Sequence, residues 1–462
     1  MTLLMTLPII SSMSHSFPIK RMIKAYASGG NVLIVTTILA LIIANIPAIN
    51  QYYFEFWEQK VTLEFAGVNL FGHEMTMMQF INDALMSLFF FSIGLEIKRE
   101  VLVGELSSFR KALLPIIAAC GGMIVPILIF GFMAQGTDYA RGSAIPMATD
   151  IAFSLGVLSM LGKRVPLSLK IFLTTLAVVD DIGGIIVIAL FYSTSIHYML
   201  LVYSLGALFF LYMGSVFRIN SKLYYAFFGF IVWYLFLNSG IHPTISGVLV
   251  AFCIPAKPVL NPKKFIVTIR ETIGSFPVSE DETLTKKTIF TNDQLSWLKR
   301  IESASDKVIS PLQDIEDSLT PVVNYIVLPL FAFSNAGIYF GNVELSAIYG
   351  GVGLAIICGL FFGKFIGIFS FSWLAIKLRL APMPYHSNWK MLGSVAMLGG
   401  IGFTVSLFIA NLSFVPLGAL GVELLNDSKL SILLGSVLSG LVGYILLHLT
   451  LPKTPVETDD DD

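Results

Sequence analysis

Long apolar stretches separated by short polar segments recur along most of the chain. Twelve of them are long enough, or nearly so, to cross a hydrocarbon core of about 30 Å, which takes about 20 helical residues. They lie at 29–47, 76–95, 112–133, 142–161, 167–192, 196–217, 223–238, 241–255, 321–340, 349–376, 390–413 and 429–450. The pattern predicts an all-α integral membrane protein with twelve transmembrane helices.

Basic residues concentrate in every second segment between these stretches. The basic segments contain Lys20, Arg21, Lys24, Lys98, Arg99, Arg110, Lys111, Lys163, Arg164, Lys170, Arg218 and Lys222, and the bias continues in 256–320 and 377–390. The alternate segments contain Lys60, Arg141 and Lys429. Because cytoplasmic loops are enriched in Lys and Arg, both chain termini are predicted to be cytoplasmic. The regular alternation also supports the count of twelve.

We predict a single membrane domain over 1–462, which the polar segments divide into successive parts. Its predicted parts are a cytoplasmic N-terminus (1–28), helices one to eight (29–255), a cytoplasmic polar loop (256–320), helices nine to twelve (321–450) and an acidic cytoplasmic tail (451–462). On the outer side, "KVTLEFAGVNLFG" alternates apolar and polar residues around Ala66-Gly67. This alternation predicts a small β-hairpin over 60–72.

Composition supports a membrane protein and narrows the possible partners. Hydrophobic residues make up 55% of the chain and charged residues 13%, against about 25% charged in soluble proteins. The net charge is −1 and no basic patch stands out in the sequence, so no nucleic-acid partner is expected. Cys120, Cys253 and Cys358 all lie in apolar stretches. We therefore expect neither a disulfide framework nor a resident metal site.

A few ionisable residues lie near the middle of predicted spans, where each costs about 2.5–3.5 kcal/mol on insertion scales. They are Asp150, the adjacent pair Asp180 and Asp181, and Lys364, with Asp83 less central. One aspartate and Lys364 could form a structural ion pair. The excess of carboxylates over amines would still leave a buried negative charge unpaired. A proton or a bound cation is expected to neutralise it.

The adjacency of Asp180 and Asp181 limits what the pair can do. Neighbouring helical residues differ by about 100° around the axis, so one carboxyl can face Lys364 while the other faces a cavity. An intramembrane aspartyl protease needs two carboxyls in contact on facing helices, which this arrangement does not favour. A cation channel with acidic rings is the other alternative. No nucleophile arrangement is visible, and we do not expect an enzyme.

Two spans carry residues that interrupt helices. The fourth, "RGSAIPMATDIAFSLGVL", contains Pro146 and the polar pair Thr149-Asp150, and the eleventh contains "GGIG" at 399–402, followed by Thr404. Two broken helices, one in each half of the chain and at similar depth, are typical of an inverted-repeat transporter. The backbone carbonyls freed by the breaks and the Thr149 hydroxyl are hard oxygen ligands that suit Na⁺ or Li⁺.

Seven ordered motifs closely resemble those of the bacterial NhaA-type sodium/proton antiporters. They are "GLEIKRE", "AIPMATDIAFSLGVL", "RVPLSLKIFLTTLAVVDDIGGIIVIALFY", "SGIHPTISGV", "LPLFAFSNAG", "GKFIGI" and "GGIGFTVSLFIA". The resemblance extends from about Ala27 to the last span. It implies a secondary antiporter of the inner membrane that extrudes Na⁺ or Li⁺ for external protons and has no cofactor.

The resemblance also implies roles for the mid-membrane residues. Asp181 in "VDD" is similar to the principal ligand of the transported cation, with Asp180 as its proton-carrying neighbour and second ligand. Lys364 in "GKFIGI" resembles the lysine that pairs with the first aspartate. Thr149 and Asp150 in "ATD" resemble the unwound fourth helix at the site.

Regulation and assembly are implied in the same way. Glu96 and Glu100 resemble residues of a cytoplasmic funnel tied to pH response, Glu316 resembles a pH-sensing glutamate, and His242 resembles the histidine of the eighth helix. A homodimer, held partly by the outer hairpin, is also implied. Release of more than one proton per Na⁺ would make the exchange electrogenic, and the apolar composition predicts that most of the chain contacts the lipid bilayer. The chain departs from the family's compact pattern across about 265–305, where it has extra polar sequence.

Overall fold

The computed structural model describes residues 29–62, 64–65, 68–69, 75–193, 196–258, 260–275, 292–342 and 346–452, which are mostly helical. The helices before residue 280 are α1 (Gly29–Asn45), α2 (Asn50–Glu58), α3 (Met77–Leu102), α4 (Phe109–Met133), α5 (Ile151–Met160), α6 (Leu167–Phe191), α7 (Tyr198–Val216), α8 (Lys222–Leu237), α9 (Thr244–Cys253) and α10 (Pro262–Gly274). The predicted N-terminal segment 1–28 and residues 453–462 of the acidic tail lie outside the described residues.

The second half continues the helical pattern, with two π-helical insertions. Its helices are α11 (Asn292–Val308), α12 (Pro311–Val322), α13 (Leu328–Asn335), α14 (Ser346–Tyr349), α15 (Gly351–Ile357), α16 (Lys364–Lys377), α17 (Trp389–Leu398), α18 (Phe403–Phe414) and α19 (Ala419–Thr450). The π segments Val323–Val327 and Cys358–Gly363 join α12 to α13 and α15 to α16. Short 3₁₀ segments lie at Glu105–Ser107, Asp138–Met147, Gly162–Arg164, Phe340–Asn342 and Val415–Leu417.

Within the described residues, seven helical stretches are long and apolar enough to cross a membrane. They are Met77–Leu102, Phe109–Met133, Leu167–Phe191, Tyr198–Val216, Pro311–Asn335, Gly351–Lys377 and Ala419–Thr450. The number rises to ten if each of three helix pairs with a sharp bend is one span, and α8 and α9 are shorter apolar helices. At 1.5 Å per residue, a 25-residue helix such as α6 reaches about 38 Å, which exceeds the hydrocarbon thickness. The chain is thus a multi-pass membrane protein.

The structure adds helices that the hydrophobic pattern did not indicate. The region 256–320, predicted as a polar loop, contains α10 and α11, and the helix predicted over 321–340 begins at Pro311 and ends at Asn335. Its start is explained by local signals, because Pro311 is the first helical residue and the Ser310 hydroxyl accepts a hydrogen bond from the Gln313 amide at 3.3 Å. α2 is likewise an additional helix, bent 109° from α1.

The described residues between α2 and α3 form two short antiparallel ladders. β1 (Lys60–Val61) pairs with β4 (Met75–Thr76), and β2 (Glu64–Phe65) pairs with β3 (Val68–Asn69). Residues 66–67, where the hairpin turn is predicted, lie outside the described residues. A capping box then starts α3, since Thr76 and Gln79 each accept a hydrogen bond from the other's backbone amide.

Helices α4 and α16 cross in close backbone contact at Gly121 and Gly367. A methyl group added to either glycine would overlap the carbonyl oxygen of the other. Small residues allow this approach of two helices in a membrane. The crossing holds Lys364, one turn before Gly367, against α4, where a methyl group on Gly122 would lie 3.7 Å from the Lys364 Cδ atom.

We expect Gly367→Ala to destabilise the protein by roughly 1–3 kcal/mol, the usual cost of overpacking. The clash is with a backbone oxygen, so no side-chain rotation relieves it. The free-energy cost of this clash is opposite in sign to the gain of about 1 kcal/mol that alanine brings to a helix. The thermal unfolding midpoint of the purified protein in detergent measures this. In the control Gly131→Ala, also on α4, the new methyl group meets no atom within 4 Å, so the midpoint should hold or rise. A Gly367→Ala protein as stable as its parent would contradict the crossing.

Candidate functional site

The first half of the site is a helix interruption at residues 148–150. The 3₁₀ segment Asp138–Met147, which contains Pro146, ends there, and α5 leaves at an angle of 43°. Proline has no N–H to continue a helical ladder, which favours a break close to it. Asp150 is the N-cap of α5, and its Oδ1 accepts a hydrogen bond from the Phe153 amide at 3.0 Å. A carboxylate at this position offsets the partial positive charge of the helix start.

The second half is a matching interruption between α17 and α18, which meet at 45° across residues 399–402. Glycine is required because the two interruptions touch: a methyl group on Gly402 would lie 3.0 Å from the Ala148 carbonyl oxygen. The Ser436 hydroxyl on α19 accepts hydrogen bonds from the amides of Gly402 and Phe403 at 3.3 and 3.2 Å. The start of α18 is therefore capped by a neighbouring helix and not by its own residues.

Hydrogen bonds between the two interruptions satisfy the backbone groups that each leaves unpaired. The Asp150 amide donates to the Ile401 carbonyl at 2.6 Å, and the Thr149 hydroxyl donates to the Gly399 carbonyl at 2.9 Å. In return, Asp150 Oδ2 accepts from the Thr404 amide at 3.1 Å and from the Thr404 hydroxyl at 2.5 Å. Because buried backbone groups need partners, this exchange stabilises both interruptions at one depth.

A buried ion pair lies beside the interruptions. Lys364 Nζ, at the start of α16, donates to Asp180 Oδ2 at 2.5 Å and to the Thr149 hydroxyl at 2.8 Å. The Lys364 and Asp180 side chains are completely buried. Such a pair compensates the Asp180 charge in a low-dielectric interior, where an unpaired charge is costly. The structure therefore brings Thr149, Asp180 and Lys364 into direct contact.

Asp181 is in a different situation from its neighbour. It is 4% exposed, and among the described residues its Oδ2 has no hydrogen-bond partner. It lines a cavity of about 400 Å³ that neither Asp180 nor Lys364 reaches. The cavity also contacts Thr149 and Asp150. Asp180 Oδ1 also has no hydrogen-bond partner among the described residues, but Asp180 does not line the cavity. Of the three mid-membrane aspartates, Asp181 is thus the one that combines an unpartnered oxygen with a place in the cavity lining.

The cavity leads from Asp181 to a cluster of charges at one end of the bundle. Glu96 and Glu316 line it. Arg99, which is half-exposed, donates to Glu316 Oε1 at 2.5 Å and to Glu100 Oε1 at 3.2 Å. Three of the four residues assigned to pH response by resemblance therefore lie together.

His242, the fourth, lies elsewhere. Its Nε2 is 3.5 Å from Asp83 Oδ1, its Nδ1 is 2.9 Å from the Thr244 hydroxyl, and its ring packs on Phe408. Asp83 precedes Glu96 by 13 residues on α3, about 20 Å along the helix axis. The His242 and Asp83 pair is therefore at the end of the bundle opposite Glu316, which separates it from the other three.

Close packing and a buried amide cluster occupy that opposite end. Asn335 and Asn82 exchange hydrogen bonds at 2.7 and 3.1 Å, and Asn411 donates to Asn335 at 3.0 Å. The Phe408 ring contacts Phe90 and, at a greater distance, Phe331. The cluster links α3, α13 and α18 and fills the space between them.

Several of these residues were not selected from the sequence. Thr404 lies two residues after the glycine-rich interruption, and the three asparagines interrupt apolar stretches, so both had a sequence signal. Ser436 had none, since it acts 34 residues away on another helix. Among the described residues, no group of three or more His, Cys, Asp or Glu side chains is arranged to hold a metal ion.

Helices of membrane-spanning length around a buried charged site with a cavity define a protein of the membrane ion-transporter class. A family profile described as Na+/H+ antiporter 1 matches residues 20–447. Three similar proteins are each named Na(+)/H(+) antiporter NhaA. The one from Bacteroides fragilis is 56% identical and covers 91% of this chain and 95% of its own. The one from Phocaeicola vulgatus is 53% identical, and the match covers 96% of this chain and 98% of the relative. The one from Porphyromonas gingivalis is 46% identical, and the match covers 94% of this chain and 96% of the relative. The chain belongs to the Na+/H+ antiporter 1 family.

Proposed function

We propose that this chain exports Na⁺ or Li⁺ across the bacterial inner membrane in exchange for external protons, with Asp181 as the principal ligand. The observation that carries the proposal is the buried Asp181 carboxylate, which lines the cavity and whose Oδ2 has no hydrogen-bond partner among the described residues. Asp180 is compensated by Lys364, and Asp150 by the donors of α5 and α18. The remaining negative charge is available to a proton or to a small cation.

Competition between the two ions at Asp181 gives exchange. Burial favours a protonated carboxyl, while a cation nearby favours the charged form, so the two exclude each other at the same oxygens. Asp180 would share the cation in place of its contact with Lys364, and a proton would leave this pair. The Thr149 hydroxyl and backbone carbonyls of the interruptions would complete a shell of hard oxygen ligands. If more than one proton moves per cation, the cycle carries net charge and the membrane potential helps to drive it.

Exchange also requires that the site open to one side at a time. The cavity from Asp181 to Glu316 supports access from that end, and the packing of Phe408 with the asparagine cluster supports closure at the other. Alternating access would separate α3, α13 and α18 at the closed end. The interlocked interruptions fit rigid-body movement around a site that stays intact.

The proposed topology has twelve spans within a single transporter domain. Counting α8 and α9 with the ten candidate spans gives this number, and the fourth and eleventh would be the broken helices of an inverted repeat. Both termini, including the tail 451–462, would be cytoplasmic, and the two ladders between α2 and α3 would belong to a periplasmic hairpin that helps to form a homodimer. Glu96, Glu100, Glu316 and His242 are the proposed pH-responsive residues.

Everted membrane vesicles that hold a proton gradient test the proposal. Added Na⁺ or Li⁺ should dissipate the gradient, reported by an acridine dye, because the cation enters in exchange for internal protons. K⁺ is larger and should have little effect at the same concentration. Equal responses to all three cations, or to none, would contradict sodium/proton exchange.

Asn335→Ala tests the closed end. Removing this side chain leaves buried polar groups of Asn82 and Asn411 unsatisfied, and each such group costs about 1–3 kcal/mol. We expect a lower thermal unfolding midpoint in detergent. Gln51→Ala, which removes an exposed hydrogen bond to Glu55, is the control and should leave the midpoint unchanged. Equal midpoints for the two variants would show that the asparagine cluster does not stabilise this end.

A further inference from the structure

Helix α10 exposes aliphatic residues although it lies outside the proposed spans. Ile266, Val267 and Ile273 are 56%, 54% and 62% exposed. Phe265 is half-buried, and Thr272 is buried on the side that packs against α11. Aliphatic side chains on a spanning helix are covered by lipid, but those on a polar connecting segment need another apolar environment.

The exposed aliphatic side has a basic border. At about 100° per residue, Ile266 and Ile273 lie about 20° apart, and Arg270 and Lys263 both lie roughly 40–80° to the same side of them, between this pair and Val267. Lys264 is on the far side of the helix. Apolar residues bordered by Lys and Arg are typical of helices that lie in the interface of an anionic membrane.

The connections on both sides hold α10 close to the membrane. α9 ends at Cys253, eight residues before α10, and eight extended residues reach at most about 29 Å. The Leu312 amide at the start of α12 donates to the Pro255 carbonyl at 3.2 Å, and the Leu260 amide donates to the Lys307 carbonyl at 2.8 Å. The base of the α10 and α11 pair is therefore attached to the end of α9 and to the start of the candidate span Pro311–Asn335.

Charge identifies the partner as an anionic surface. The stretch from Ala256 to Ser275 has four basic residues, Lys257, Lys263, Lys264 and Arg270, and Glu271 as its one acid. We propose that α10 lies in the headgroup layer of the membrane that the chain spans, with Ile266 and Ile273 toward the acyl chains and Lys263 and Arg270 against anionic phospholipid headgroups. This anchor is separate from the transport site, and its binding can be measured without transport.

Hydrogen exchange of the full-length chain in lipid nanodiscs tests the anchor. In nanodiscs with phosphatidylglycerol, the α10 amides should exchange more slowly than in nanodiscs of phosphatidylcholine alone. Each basic side chain near an anionic surface is worth about a factor of five. We therefore expect Lys263→Gln with Arg270→Gln to speed α10 exchange roughly 25-fold in the anionic discs and to have little effect in the neutral ones.

A matched double variant separates this surface from general electrostatics. Lys264→Gln with Lys299→Gln also removes two exposed positive charges, but from the far side of α10 and from α11, and should leave α10 exchange unchanged. Exchange that does not depend on phosphatidylglycerol, or equal effects of the two double variants, would overturn the proposal. As a second measurement on the same discs, Ile273→Ser should speed α10 exchange; exchange as slow as in the parent would also overturn it.

Discussion

Asp181→Asn is expected to abolish the Na⁺- and Li⁺-induced collapse of a proton gradient in everted vesicles. The amide keeps the shape of the side chain but has neither the charge that holds a cation nor the capacity to carry a proton. A unit charge about 4 Å from a cation contributes about 4 kcal/mol at an effective dielectric constant of about 20. Its loss therefore lowers affinity roughly a thousandfold.

The same substitution should leave the fold intact, because it removes a buried charge whose Oδ2 has no hydrogen-bond partner among the described residues. Equal yield and an unchanged elution profile in size-exclusion chromatography verify this. Asp314→Asn is a suitable control, since Asp314 is an exposed carboxylate paired with Lys222 at 2.7 Å, and this variant should exchange normally. Retained exchange in Asp181→Asn would remove Asp181 from its proposed role.

Hydrophobicity and motifs were sufficient to predict the class of protein and its family. Apolar length locates helices such as α6 and α19, since lipid requires long apolar helices whose backbone groups are satisfied internally. The motif around Asp180 and Asp181 is one of seven ordered motifs that together indicate the antiporter family. The same adjacency predicted that the two carboxyls diverge, and in the structure Asp180 contacts Lys364 while Asp181 lines a cavity.

Contacts between residues far apart in the chain could not be predicted from hydrophobicity or motifs. Pro146 and the glycines at 399–402 mark two weak points, but no local pattern indicates that Asp150 accepts hydrogen bonds from Thr404 or that Ser436 caps α18. Those contacts depend on how the helices pack. The helices α10 and α11 were missed for another reason, since their polar composition resembles that of a loop although the apolar residues have helical spacing.

Charge compensation at the site follows from these contacts. Asp150 is stabilised by donors from two helix starts, and Asp180 by the one lysine in contact with it. Asp181 Oδ2 has no hydrogen-bond partner among the described residues, so in the proposed cycle the transported ion completes the compensation. An empty site is then unfavourable, which favours movement of the protein only when a proton or a cation is bound.

Lys364→Ala should destabilise the protein by about 3–5 kcal/mol, because it removes one partner of a buried ion pair and leaves the Asp180 carboxylate without its counter-charge. The Thr149 hydroxyl loses a donor as well. The thermal unfolding midpoint in detergent at neutral pH measures the loss. Adding Asp180→Asn removes the unpaired charge, so the double variant should be more stable than Lys364→Ala alone although it carries one more substitution. A double variant less stable than Lys364→Ala would show that the charge of Asp180 is compensated by a group other than Lys364.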